Sequence, residues 1–165
     1  MENPKIRFTI KDLGVMEAEL YPEKAPKTVE NFLKLVNEGF FEGLIFHRVI
    51  KNFMIQGGGF DESFNQKEAK AISGEFKANG FAANDIHHER GVLSMARTND
   101  PNSASSQFFI MHASAGYLDG QYAGFGELTS GFDVLDQIAN SATHSVGWYD
   151  DVPKTPVVIE KVEVI

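Results

Sequence analysis

One stretch of the 165-residue chain combines groups able to act on a polar bond held in apolar surroundings: Phe46-His47-Arg48-Val49-Ile50-Lys51-Asn52-Phe53-Met54-Ile55-Gln56-Gly57-Gly58-Gly59. It sets the permanent charge of Arg48 among aromatic rings and a thioether, with the amide of Gln56 close by. A guanidinium presents its N–H donors in a rigid fork and keeps its charge when partly desolvated. Beside an apolar surface it can therefore donate hydrogen bonds to an acceptor on a bound group. On a strand Arg48, Ile50 and Asn52 share a face, and Phe53 joins Phe46 only if the chain turns near Lys51-Asn52. Spacing alone leaves two readings open: this one, and a solvated strand arginine with the phenylalanines in the core.

Other chemistries are excluded more firmly. The three glycines are not followed by Lys-Ser/Thr, so they form no phosphate-binding loop, and they read as the end of a strand. No GxGxxG precedes a helix and no GxSxG elbow occurs. The five histidines, His47, His87, His88, His112 and His144, lack HExxH spacing, and the His87-His88 pair reads as surface rather than as a metal site. Without a single cysteine there is no thiolate nucleophile, disulfide or zinc-thiolate centre. Fifteen basic residues against 23 acidic ones give a formal charge of −8, which argues against general affinity for nucleic acid or anionic membrane surfaces.

The elements that must carry these groups follow from periodicity. Ile6, Phe8 and Ile10 alternate with polar residues from Lys5 to Lys11, and Met16, Ala18 and Leu20 repeat the pattern after Asp12-Leu13-Gly14, which predicts an opening β-hairpin. Val29, Phe32, Leu33 and Val36 make the apolar stripe of a helix over 27–37, with Thr28 as its N-cap and Gly39 as its stop. Short strands are predicted over 44–50, 53–56, 91–97, 107–112 and 123–128. A second helix covers 133–139, with Val134, Leu135 and Ile138 turned inward, and a last strand covers 157–165. Residues 60 to about 90 show no period and read as a long functional connection.

Hydrophobic residues make up 42% of the chain, and the length suits one domain spanning 1–165. Eight strands with two isolated helices, beginning and ending on a strand, favour a closed antiparallel β-barrel or a sandwich. A barrel holding a small apolar ligand inside is compatible with the 14 phenylalanines, but a filled core needs them equally. Met1-Glu2-Asn3-Pro4 lacks the basic and apolar regions of a signal peptide, and no run of about 18 apolar residues occurs, so a cytoplasmic protein without a membrane anchor is expected. No heptad or long apolar edge is evident, and a monomer is the expectation.

The FHRVIxxFMIQGG stretch resembles the central motif of the cyclophilins, the cyclosporin-binding peptidyl-prolyl cis-trans isomerases. Ala25-Pro26-Lys27-Thr28-Val29-Glu30-Asn31-Phe32, Gly91-Val92-Leu93-Ser94-Met95-Ala96-Arg97, Ser105-Ser106-Gln107-Phe108-Phe109-Ile110 and Tyr117-Leu118-Asp119-Gly120 resemble further family segments in the family order. The likeness is weakest over 60–90 and 140–155, and it is greatest to the compact single-domain bacterial type. It implies an eight-stranded antiparallel closed barrel with a helix over each end, a packed interior and a substrate groove outside. It also implies acceleration of Xaa-Pro rotation without a cofactor. Arg48 is then the catalytic cation, Phe53, Met54, Phe109 and Leu118 the proline pocket, and Gln56 a hydrogen bonder to substrate backbone. Ala96, Arg97 and Gln107 would line the adjoining groove. Tyr117 and Tyr122 stand where many members have tryptophan and histidine. Tyr117 lacks the indole donor, so cyclosporin binding is expected to be weak. Tyr122 keeps a hydrogen-bonding aromatic beside the pocket. The partners implied are proline-containing peptides and unfolded or folded client proteins. A groove that only holds such segments could keep the pocket and lose the cation, whereas Arg48, Phe53, Gln56 and Phe109 are all present here.

Overall fold

Alternation in the first twenty residues produces the hairpin that starts the sheet. In β1 (Lys5–Ile10) the apolar Ile6, Phe8 and Ile10 are buried, and in β2 (Gly14–Leu20) so are Met16, Ala18 and Leu20. The computed structural model describes residues 3–165, and the first two residues of the Met1-Glu2-Asn3-Pro4 stretch lie outside that range. There follow α1 (Pro26–Asn37), β3 (Leu44–Ile50), β4 (Met54–Asp61), β5 (Val92–Met95), β6 (Phe108–Met111), β7 (Gly124–Ser130) and α2 (Phe132–Ala139). The chain ends with β8 (Thr143–Val146), β9 (Tyr149–Pro153) and β10 (Ile159–Val164).

Eight strands form one antiparallel sheet in the order β10-β1-β2-β7-β5-β6-β4-β3. Its two edges then meet. An antiparallel bridge joins Ile45 to Val158, the Phe46 N–H donates to the Val157 carbonyl at 3.1 Å, and the Gly43 N–H donates to that of Ile159 at 2.8 Å. The sheet nearly closes into a barrel, which leaves little unpaired edge. The helices sit at opposite ends of the β1–β2 hairpin. The segment leading into α1 continues from Leu20, where the Tyr21 N–H donates to the Phe125 carbonyl. Val134 of α2 packs beside Gly14 at the other end.

The interior is packed with side chains. Phe32 of α1 reaches in among Phe8, Phe41, Phe108 and Phe125, with ring centroids between 5.0 and 6.5 Å apart. Such tilted and edge-on rings fill space densely and gain somewhat beyond their buried area.

Four local expectations need correction. Helix α1 starts at Pro26, and Thr28 is not its cap. Proline suits the first helical position because its missing N–H needs no partner there. The cap comes from far along the chain: the buried Glu75 carboxylate accepts the Lys27 N–H at 3.2 Å, the Thr28 N–H at 2.6 Å and the Thr28 hydroxyl at 2.7 Å. A carboxylate there meets both the orphan donors and the positive end of the helix dipole. Gly39, by contrast, does follow the helix end in a left-handed conformation.

The glycine run lies inside β4 and does not end it. A Cβ on Gly57 would come within 2.7 Å of the Ile45 carbonyl oxygen, and one on Gly58 within 2.7 Å of that of Ser106. The strand must pass between two neighbouring backbones, and only glycine permits the approach. His88 is buried, not on the surface. Finally, β8 and β9 pair as a separate hairpin that no alternation in 140–155 announced.

Candidate active site

The register of four strands sets a row of side chains on the outside of the barrel. Arg48 on β3 pairs with Gln56 on β4, Gln56 with Phe109 on β6, and Phe109 with Ser94 on β5. Cross-strand partners share a face. Around them gathers a second apolar cluster, distinct from the barrel core, that includes Met54, Phe109, Met111 and Leu118 with Phe53, Ala96 and Tyr122 packed against it.

Phe53 reaches this face through the required turn. Asn52 takes a left-handed conformation (φ 65°), and the Phe53 N–H closes the turn on the Ile50 carbonyl at 3.0 Å. The Asn52 N–H donates to Nδ1 of His112 at 2.9 Å, which fixes the other ring nitrogen as the donor to Asp136 Oδ1, also at 2.9 Å. Asp136 is itself held by both Nη atoms of Arg90, at 2.9 and 3.0 Å. A hydrogen-bonded chain running from the Arg90–Asp136 ion pair through His112 thus clamps the turn from behind.

The two arginines differ in how they are engaged. Arg97 donates to the carbonyls of Thr98 at 2.9 Å and Gln121 at 2.7 Å, and its guanidinium lies over the rings of Phe76 and Tyr122. It is a fixed wall. Arg48 is exposed and makes only a long contact, Nη1 to Gln56 Oε1 at 3.4 Å. Gln56 is oriented by donating from Nε2 to Gln107 Oε1 at 3.0 Å. Arg48 therefore retains donors for a bound group.

Ten of the eleven candidate side chains line a single cleft of about 510 Å³. Arg48, Phe53, Gln56 and Phe109 form its centre, Met54 and Leu118 contribute apolar walls, and Ala96, Arg97, Gln107 and Tyr122 continue it to one side. From there a hollow of about 400 Å³ shares Gln56, Ala96, Arg97 and Gln107 and extends past Thr98 and Ser103. Tyr117 does not line the cleft. It is 73% exposed and stacks on the ring of Phe53, the centroids 6.2 Å apart.

Sequence reasoning missed other lining residues. His47 is buried against Phe60, and burial together with the neighbouring charge of Arg48 pushes its pKa down to about 4. Trp148, Tyr149, Asp150 and Asp151 come from the unannounced hairpin. His88 backs the cleft through Phe109. Its Nε2 lies 2.8 Å from the Ser94 hydroxyl, and its Nδ1 lies 3.0 Å from Asp119, whose other oxygen meets His87 at 2.9 Å. Burial holds the His88 pKa below the usual histidine range, whereas its hydrogen bond with Asp119 raises that of His87. Burial alone would raise the Asp119 pKa, but its hydrogen bonds with the two histidines and the His88 backbone outweigh that and lower it.

The sequence model described as cyclophilin type peptidyl-prolyl cis-trans isomerase/CLD matches residues 5–164. The chain belongs to the cyclophilin family. It is 46% identical over 159 residues to a peptidyl-prolyl cis-trans isomerase of Acinetobacter baylyi, covering 93% of this chain and 81% of the relative. It is 44% identical over 160 residues to peptidyl-prolyl cis-trans isomerase B of Escherichia coli, covering 92% and 94%. A Cryptosporidium parvum cyclophilin, solved in the presence of the dipeptide Ala-Pro, superposes with a TM-score of 0.80 at 29% identity over 98% of each chain. This cyclophilin is accordingly an enzyme that isomerises peptidyl-prolyl bonds.

Proposed function

We propose that this cyclophilin acts as one domain over 1–165 and catalyses rotation about Xaa-Pro bonds through Arg48, with Phe53, Met54, Phe109 and Leu118 gripping the proline ring. The barrier, about 20 kcal/mol, is the loss of amide resonance as the C–N bond twists. No covalent bond breaks, so no nucleophile is needed. In the planar amide the nitrogen lone pair is delocalised, and in the twisted state it returns to a pyramidal nitrogen. A donor aimed at that nitrogen is engaged mainly in the transition state and lowers the barrier. The single observation that carries this assignment is the contrast between Arg97, tied to two carbonyls, and Arg48, exposed beside an apolar cluster.

The pocket assists, because the planar amide is the more dipolar form and loses more solvation in apolar surroundings. Gln56, held by Gln107, positions the flanking backbone while the other side of the bond turns, and Ala96, Arg97, Tyr122 and the Tyr117 rim shape the adjoining groove. Partners in this reading are proline-containing segments of unfolded or folded client proteins, met by a cytoplasmic monomer without a cofactor. Cyclosporin binds weakly.

A protease-coupled isomerisation assay on an Xaa-Pro tetrapeptide tests the assignment. Arg48→Ala should lower kcat/KM about 10²–10³-fold, as removal of a transition-state donor does, with an unchanged circular dichroism spectrum because Arg48 supports no core. A folded variant turning over at the wild-type rate would show the assignment to be wrong.

A further inference from the structure

The hairpin β8–β9 is anchored along β9 and exposes Trp148 at its turn. Val152 is buried, and the Tyr149 ring packs on Phe60 and Phe64 with centroids 5.1 and 5.2 Å away. Beyond Gly147, Trp148 is 98% exposed although it forms part of the cleft wall. Asp150 and Asp151 line the same wall. Asp150 accepts the Ser145 hydroxyl through Oδ1 at 2.7 Å, and the Asp151 carboxylate takes part in no hydrogen bond or ion pair among the described residues. Asp151 also holds a left-handed backbone (φ 61°) within a strand, a conformation rare outside glycine, asparagine and aspartate. Neither aspartate forms an ion pair with Arg48.

A polypeptide bound with its proline beside Arg48 must leave the pocket in two directions. On one of them it meets an uncovered indole and two carboxylates. An indole face attracts a cation through its quadrupole, and carboxylates pair with it directly, so two independent features call for the same side chain. We propose that the tip of this hairpin is a subsite for a lysine or arginine of the client, on one flank of the isomerised proline. The proposal rests on the reading of the cleft as the peptide groove.

The test is a set of peptides sharing one Ala-Pro core, with Lys, Arg, Ala or Glu placed in turn at each of three positions on either side. At low salt, Lys or Arg on one flank should raise kcat/KM about fivefold to tenfold over Glu at the same place, a preference that shrinks as salt is added. The readout is the ratio between charged and neutral peptides for each enzyme, so a general loss of activity does not mimic the effect. Asp150→Asn with Asp151→Asn should cut the ratio to about twofold or less, what the indole alone sustains, asparagine being able to keep the left-handed backbone. Asp150→Lys with Asp151→Lys should reverse it in favour of Glu, and Trp148→Ala should lower it most for Arg. Turnover of the neutral peptide with no discrimination above twofold at any position would overturn the subsite alone, as would a Lys preference that survives undiminished in the double asparagine variant. No turnover of any peptide would remove the groove reading on which the subsite stands.

Discussion

The ring of His88 lies flat behind that of Phe109, the centroids 6.1 Å apart and the planes 22° from parallel. Ser94, His88 and Asp119 follow one another like a hydrolytic triad, yet Ser94 and His88 are 0% and 1% exposed, so no substrate carbonyl reaches the hydroxyl. The arrangement is a strut. Its carboxylate end, Asp119, also accepts the His88 backbone N–H at 2.6 Å and directly follows Leu118 of the pocket. Asp119→Ala strands buried donors and should cost about 2–3 kcal/mol in urea unfolding, together with a raised KM. Asp119→Asn keeps an acceptor and should recover most of both.

His47 predicts an acid limit to stability. Its pKa of about 4 in the folded protein lies below the ordinary 6.5, so the unfolded chain takes up a proton that the fold refuses. Stability is fully present above about pH 6.5 and declines as pH falls toward 4, by an amount on the order of 3 kcal/mol. Urea midpoints measured across this window should fall in the wild type. In His47→Phe, which keeps a ring beside Phe60, that part of the slope should vanish, and a slope equal to wild type would refute the cause.

Glu75 predicts a long-range cap. Replacing it by alanine removes the acceptor of three hydrogen bonds at the start of α1 and should destabilise the protein by about 2–3 kcal/mol. Thr28→Ala removes only the hydroxyl bond and should cost about 1 kcal/mol. Equal losses in the two unfolding curves would mean that Thr28, not Glu75, dominates the cap.

Tyr117 predicts drug response. Tyr117→Trp supplies an indole donor and a larger apolar face beside Phe53, and should tighten cyclosporin inhibition about tenfold, with peptide turnover changed less than about twofold. An inhibition titration decides it.

What could be read from the sequence was whatever local period expresses. The alternation in β1 and β2, Val29, Phe32 and Val36 of the α1 stripe, and the turn demanded at Lys51-Asn52 reappear in the structure, whereas Leu33 is only partly buried and Leu35 is the leucine that α1 buries. The cleft residues were named because long motifs carried them, not because spacing brought them together. Relationships between distant residues stayed hidden. Glu75 caps a helix 47 positions earlier in the chain, and nothing in its neighbourhood marks it. His88 looked like half of a surface pair because burial of one histidine of two depends on Phe109 and Ser94. The hairpin of β8 and β9 has burial that follows no period of two, since one side faces the cleft and its tip faces solvent.

The pairing of β1 with β10 joins strands that leave the ribosome more than 150 residues apart. During synthesis β1 has β2 on one side and an open row of backbone donors and acceptors on the other, and the edge is satisfied only when β10 emerges. Contacts so distant along the chain are slow to form and expose nascent strands to mispairing. An enzyme that turns peptidyl-prolyl bonds thus passes through its own synthesis with an open strand edge, and deleting β10 would leave a product with a permanent sticky edge.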